Sequence, residues 1–331
     1  MSNYFVTDED FISAWRALGS PNLVAQRFKM SIRSAHSRRR TLEFKYNIEL
    51  PTTDPQRPGN PNSPAKIIKK IEETDGHVRR GIDIEKGRVI VFSDAHFQPD
   101  EVTTAYKALL LMIKTFKHEI KAIVANGDIF DGSQVSKHQR INWSQTPTVK
   151  EELDACKAMM DGIEAVASKN TELIWCLGNH DARFETFLAN NGSATYEGVL
   201  GFSLKDHFPM WKSCWSFWVN EDTVIKHRWK GGFGATRGNS LNSGCNMVTG
   251  HTHNLSTFPI TDYNGTRWGV QTGCLANPKS DCFIHYTEDA PTDWRSGFVM
   301  LSWENGRMLM PEMIMVSGED EFEFRGCINK V

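Results

Sequence analysis

Side chains able to hold a metal recur in five short blocks. They are Asp94 and His96 in SDAH, Asp128 and Asp131 in NGDIFDG, Asn179, His180 and Asp181 in GNHD, His227 in VIKHRW, and His251 and His253 in GHTH. Each block follows an apolar run, as residues 89–92 precede Ser93 and Asp94. One histidine at a strand end is more often structural than a ligand. Five such blocks in one chain argue for a metal centre. Mixed imidazole and oxygen donors suit Mn²⁺, Fe or Zn²⁺, and do not suit Ca²⁺ or Mg²⁺ alone. The carboxyl end of a strand is a rigid, solvent-reachable mount, and sites in α/β sheets form there. A spacing of two puts Asp94 and His96 on one side of the chain if it stays extended.

The elements around these blocks follow a strand, helix, strand rhythm from Gly87 onward. RVIVFSD reads as a strand, VTTAYKALLLMIKTF as a helix, and IKAIVANGD as the next strand. TVKEELDACKAMMDGIEAVAS reads as another helix, followed by the strand TELIWCLGNHD. This alternation implies a layered α/β domain. The later segments DTVIKHRW, CNMVTGHTH, LSTFPIT, TRWGVQTGC and GFVMLSW through MIMV are strand-rich, and we expect a second, largely antiparallel sheet from them. GGFGATRGNS is glycine-rich but has no GK[ST], so it reads as a flexible loop near the site and not as a P-loop. Trp211, Trp215 and Trp218 read as core or lid residues.

A proline-rich run separates a small N-terminal unit from this domain. PTTDPQRPGNPNSPAK, residues 51–66, reads as a semi-rigid linker, with domains at 1–50 and 67–331. The small unit reads as three helices. Thr7 caps the first, which has Phe11, Ile12, Trp15 and Leu18 on one face and stops at Gly19. Ser20-Pro21 starts the second, with Leu23, Val24, Ala25 and Phe28 on its buried side. Ser31 caps the third, with Ile32, Ala35 and Leu42 inward. Arg33, Ser37 and Arg40 fall outward, with Arg38 and Arg39 beside them. The pattern resembles a helix-turn-helix, whose basic third helix contacts nucleic acid. The bland alternative is a solvated helix or a protein-interaction clip.

The chain of 331 residues has a formal net charge of −2, which as a total says little about partners. No apolar run is long enough to span a membrane. The acidic start MSNYFVTDEDF has no signal-peptide pattern, so we expect a cytoplasmic protein. Seven scattered cysteines without a CxxC read as reduced thiols.

Taken in order, the five blocks resemble the signature of the calcineurin-like metallophosphoesterases: DxH, GDxxD, GNHD, a lone His, and GHxH. The resemblance spans residues 89–275. It is closer to the phosphodiesterase and nuclease branches than to the Ser/Thr protein phosphatases. Gly132-Ser133 stands where those phosphatases carry Arg-Gly, and Asp181 where they carry Glu. The resemblance implies a two-sheet, β-sandwich-like core flanked by helices and two divalent ions, Mn²⁺ first among Mn²⁺, Fe and Zn²⁺. Asp94, His96 and His253 would hold one ion. Asn179, His227 and His251 would hold the other, with Asp128 bridging. His227 lacks the usual following glycine, and His207 in KDHFP competes with it but follows no strand. His180 would protonate the leaving oxygen or stabilise the transition state, Asp131 would orient it, and Arg183 would contact phosphate or form a surface ion pair.

The reading that results is a two-metal phosphoesterase with an appended all-α, helix-turn-helix-like unit. It would cleave nucleic-acid phosphodiester bonds, DNA first, by in-line attack of metal-bound hydroxide. The arrangement resembles phage- or prophage-borne members, whose compartment would be the host cytoplasm. One alternative is hydrolysis of nucleotides or cyclic nucleotides. Another, of a different class, is a DNA-binding regulator with a vestigial metal site, against which the intact ligand set argues.

Overall fold

The computed structural model describes residues 6–52, 78–137, 146–192, 194–280, 283, 287 and 290–331. Most of the expected proline-rich linker lies outside them. The chain divides into two compact units, residues 1–63 and 64–331.

The smaller unit is built from α1 (Asp8–Leu18), α2 (Pro21–Arg27) and α3 (Ile32–Tyr46). The Thr7 hydroxyl accepts the Asp10 N–H at 3.1 Å, and Ser31 accepts that of Ser34 at 3.0 Å, so both caps form as the sequence suggests. Gly19 closes α1 at φ 58°. Phe11, Trp15, Val24, Ala25, Ala35, Leu42 and Leu50 make the core.

Two expectations about inward faces fail. Leu23 and Ile32 are 46% and 51% exposed: Leu23 lies in the seven-residue α2, and Ile32 is the first residue of α3, at its open end. The arginines also divide. Arg33 and Arg40 are exposed with Ser37. Arg38 donates to the Val6 carbonyl and Asp8, and lies 5.2 Å over the Phe11 ring. Arg39 donates to the Leu50 carbonyl and Thr52, and lies 5.4 Å over Trp15. Of the residues expected on the nucleic-acid face, Arg38 and Arg39 thus bond within the unit, whereas Arg33, Ser37 and Arg40 face solvent.

The larger unit begins with β1 (Arg79–Ile82), β2 (Gly87–Phe92), α4 (Thr104–Thr115), β3 (Ile120–Ala125), α5 (Val149–Val166), β4 (Glu172–Cys176) and α6 (Asp181–Asn191). Then come β5 (Lys212–Cys214), β6 (Ser216–Val219), β7 (Thr223–Ile225), α7 (Ala235–Ser243), β8 (Asn246–Thr249), β9 (Leu255–Asp262) and β10 (Gly265–Thr272). It closes with β11 (Gly297–Glu304), β12 (Arg307–Met308), β13 (Glu312–Gly318), β14 (Glu321–Phe324) and β15 (Cys327–Lys330).

One sheet runs β15-β14-β13-β11-β2-β3-β4-β5, with β12 on β11; the other runs β1-β6-β7-β8-β10-β9. β2 through β5 are parallel, and β11 joins β2 antiparallel. Two expectations change here. The C-terminal strands β11–β13 extend the first sheet. The second sheet is mixed: β1-β6, β7-β8 and β8-β10 are parallel, so it is not largely antiparallel. The crossover through α7 between β7 and β8 accounts for one of these pairs.

The sheets pack face to face through Val89, Val91, Val124, Ile174, Phe217, Ile225 and Val248. On the other face of the first sheet, Ile90, Phe92, Ile123 and Trp175 pack with Leu109, Met112, Met160 and Ile163. β2 is therefore buried on both sides, which explains its unbroken apolar run. Trp211 is buried in that second core, Trp218 packs beside Val224 and Met247, and Trp215 is 47% exposed. The six described cysteines, all except Cys282, are free thiols. Among the described residues no helix is long and apolar enough to cross a membrane.

The split among the arginines is testable. Arg38→Ala should destabilise the small unit by about 1 kcal/mol through lost carbonyl bonding and ring contact. Arg40→Ala should not. Amide exchange in α1 measures this, and equal protection in the two variants would refute it.

Candidate metal centre

All five blocks converge beyond the carboxyl ends of β2, β3, β4, β7 and β8. Asp94, His96 and His253 each offer one donor atom, all within 4.8 Å of one another. Asp128, His227 and His251 form a second such cluster, and His96, Asp128 and His180 a third. Asp128 thus belongs to two groups and links them. His253 Nε2 is 3.2 Å from Asp94 Oδ1, and His227 Nε2 is 3.0 Å from Asp128 Oδ2. His207 instead bonds the Gly201 carbonyl at 2.8 Å, so the structure brings His227 and not His207 to Asp128.

The backbone aims these side chains in an unexpected way. The chain does not stay extended after β2. Asp94 and His96 have φ of 50° and 41°, and Asp128, His251 and His253 have 53°, 71° and 57°. Left-handed backbone at non-glycine residues is uncommon and clusters at functional sites. Neighbouring loops hold it there. Asp94 N–H donates to the Gly127 carbonyl at 2.9 Å, and His96 N–H to that of Asp128 at 3.0 Å. His251 N–H donates to the Asp94 carboxylate at 2.9 Å, and His180 N–H to Asp128 Oδ1 at 2.8 Å. Two motif glycines allow the close approach. A Cβ at Gly178 would sit 2.1 Å from Asp128 Oδ1, and one at Gly250 would sit 2.7 Å from Asp94 Oδ2.

Hydrogen bonds also fix which ring nitrogens face inward. His227 Nδ1 lies 2.8 Å from the Asn126 carbonyl, so Nδ1 carries the donated proton and Nε2 is free. His96 Nδ1 bonds Asp131 Oδ1 at 2.9 Å, with the same consequence. His96 Nε2, His227 Nε2, His253 Nδ1 and Asn179 Oδ1 are buried without a hydrogen-bond partner. Buried polar atoms are normally satisfied. His96 and His227 each share a donor cluster with a buried carboxylate, Asp94 or Asp128, an arrangement that fits divalent cations.

Charge tells the same story. His227 is pushed up to about 9: burial opposes its charging, but Asp94 and Asp128 outweigh burial. Asp94 and Asp128 are held below the usual carboxylate range, again against burial, by His253 and His227. His251 is pushed down by burial, then by His227, with Arg228 adding to the effect. Protons here balance carboxylates that a cation would otherwise balance.

His180 lies at the edge. Its Nδ1 is 2.9 Å from Asp131 Oδ1, its Nε2 is 3.8 Å from Asp128 Oδ2, and it is half-buried. Burial disfavours its charged form, yet Asp131 and Asp128 raise its pKa overall. Asp131 therefore serves His96 as well as His180 through one oxygen. Arg183 donates to the Asp131 carbonyl at 2.9 Å and contacts His180 Nε2 at 3.0 Å.

Two buried acids have roles that the motif reading missed. The Asp181 carboxylate accepts the N–H groups of Asp128, Ile129, Phe130 and Gly178, and the Trp175 indole N–H. Its signal was a carboxylate at the first position of a helix, directly behind the ligand block. Glu152 accepts the Gly132 N–H at 2.6 Å, and its other oxygen has no partner. Its signal was its place on the apolar stripe with Cys156, Met160 and Ile163.

Burial, aided by Asp131, pushes the Glu152 carboxyl up to about 8. A folded pKa raised above the unfolded value means that the native state keeps a proton the unfolded chain has lost. Stability therefore falls as pH rises from about 4.5 to about 8. Glu152→Gln should remove this loss. In chelated protein the variant should gain on wild type by up to a few kcal/mol at pH 9, and match it below about pH 4.5. Urea unfolding across pH would show a constant difference if the reading is wrong.

A family model described as calcineurin-like phosphoesterase matches residues 87–255. Among solved structures, the chain is similar to an archaeal phosphodiesterase at 15% identity and TM-score 0.36, covering 69% of this chain and 99% of that one. A Streptococcus pneumoniae TIGR4 protein described as a predicted phosphoesterase matches at 10% identity and TM-score 0.29, covering 75% and 98%. The Pseudomonas putida nuclease MPE matches at 15% identity and TM-score 0.27, covering 66% and 86%. No curated protein sequence matches significantly.

Proposed function

Because the chain belongs to the calcineurin-like phosphoesterase family, we propose that it hydrolyses nucleic-acid phosphodiester bonds at a two-cation centre. The observation that carries the reading is the run of three donor clusters linked through His96 and Asp128, with His96 Nε2 and Asn179 Oδ1 buried and unpartnered. Asp94, His96 and His253 would hold one cation, and Asn179, His227 and His251 the other, with Asp128 shared. Bound divalent ions, Mn²⁺ being the first to test, would supply Lewis-acid charge and a nucleophile from water at neutral pH.

The chain's own residues do the rest. Asp131 holds His180 by Nδ1, leaving Nε2 toward Asp128 and the substrate side. Arg183 now caps that Nε2. An incoming phosphoryl oxygen offers Arg183 a stronger acceptor, and once Arg183 has moved to it Nε2 is free to take up a proton from water and then deliver it to the leaving oxygen. Asp131 and Asp128 raise the His180 pKa and so favour that uptake. The nucleic-acid assignment is supported by the separate three-helix unit, whose third helix presents Arg33, Ser37 and Arg40 to solvent.

His180→Asn should keep metal content and fold and lower kcat by about 10²–10⁴-fold on substrates with alkoxide leaving groups. The deficit should shrink with nitrophenolate, which leaves without a proton. An equal deficit on both would remove His180 from the acid role.

Assays with Mn²⁺ on single- and double-stranded DNA, RNA and cyclic nucleotides test the substrate class; turnover of cyclic nucleotides alone would refute the nucleic-acid reading. Deleting residues 1–63 should preserve turnover of a small aryl phosphodiester. It should also weaken duplex DNA binding and flatten its salt dependence, by a log–log slope of about 0.9 per lost phosphate contact. Identical slopes with and without the unit would make it a protein clip.

A further inference from the structure

The loop that leaves His227 reads Arg228-Trp229-Lys230-Gly231-Gly232-Phe233-Gly234 and runs into α7. It presents apolar rings to water beside the centre. Trp229 is 42% exposed and Phe233 is fully exposed. Its base is fixed: the buried Asn239 of α7 accepts the Lys230 N–H at 3.3 Å and donates to its carbonyl at 3.0 Å. Its tip stands clear, since a Cβ at Gly231, Gly232 or Gly234 would meet no atom within 4 Å.

Charge along the loop and the chain on either side of it has one sign. No acidic residue occurs between Asp222 and Asp262, whereas Lys226, Arg228, Lys230 and Arg237 all do. Arg228 is near enough to His251 and Lys226 to act on both. Lys230 lies 5.2 Å over the Trp229 ring.

From these placements we infer that the loop is a clamp for single-stranded nucleic acid, with Arg228 and Lys230 on the phosphates and Trp229 and Phe233 stacked on unpaired bases. The inference rests on the phosphodiesterase reading and narrows it. Exposed aromatic rings on a segment that carries cations and no acids match a polyanion with flat rings. A duplex keeps its base faces stacked inside, so it cannot use the rings; an unpaired strand can. Trp229 is two residues from His227, so the clamp would hold the strand close to the proposed centre.

The test uses the full-length, Mn²⁺-loaded protein and fluorescent phosphorothioate strands that resist cleavage. One is a short thymidine strand, and the other an abasic strand of equal length and charge. Trp229→Ala and Phe233→Ala should each weaken thymidine-strand binding by about tenfold. In the double variant the ratio of thymidine to abasic affinity should approach one. Unchanged affinity in both variants, or an equal loss on both strands, would overturn the clamp. So would a loss confined to phosphatidylserine vesicles, which would make the loop a membrane-surface contact. Cleavage is scored separately on ordinary strands. Base-dependent binding without strand cleavage would sink the nuclease reading and keep the clamp; strand cleavage unchanged in both variants would sink the clamp alone.

Discussion

Five N–H groups converge on the Asp181 carboxylate, and the geometry of the centre depends on that convergence. Three of the donors belong to the loop after β3 that carries Asp128. The other two come from Trp175 and Gly178, at the end of β4, next to Asn179 and His180. One fully buried side chain thus ties together the two loops that carry Asp128, Asn179 and His180. Burial and the nearby Asp128 push its carboxyl upward, while five donors favour the charged form. A group this constrained acts as a keystone for its neighbours, with both its oxygens occupied by N–H donors.

The centre is layered outward from there. Asp131 lies one step nearer the opening and bonds both His96 and His180 with the same oxygen. Orientation of a candidate ligand and of the candidate acid is therefore shared by one residue. Glu152 supports the backbone of Gly132, just beyond it. Each level is held by hydrogen bonds from the level behind it, which is how a site on loops acquires the rigidity of the sheet below.

Much of this was legible in the sequence because strand-end chemistry is local. The apolar run before Asp94 marked β2, the caps at Thr7 and Ser31 marked α1 and α3, and the five blocks marked where side chains would meet. What escaped depends on long-range pairing or on backbone angle. Nothing local told β11 to pair with β2 in the first sheet. Arg38 and Arg39 looked like their exposed neighbour Arg40, and only the packing of α3 on Phe11 and Trp15 separates them. The left-handed turn at Asp94 and His96 gives the convergence expected of an extended chain, by a different route.

That turn, repeated at Asp128, His251 and His253, bears on what evolution can try here. Aspartate, asparagine and histidine enter left-handed backbone more readily than other ligand-bearing side chains. Exchanges among the three keep each loop's shape while changing its charge, so a lineage can shift from one oxygen- and imidazole-seeking metal to another in single steps. A thiolate-rich centre is much farther away, because each cysteine would enter a conformation it disfavours before any gain in soft-metal affinity. The dihedral angles written into these loops thus act as an inherited filter on the periodic table.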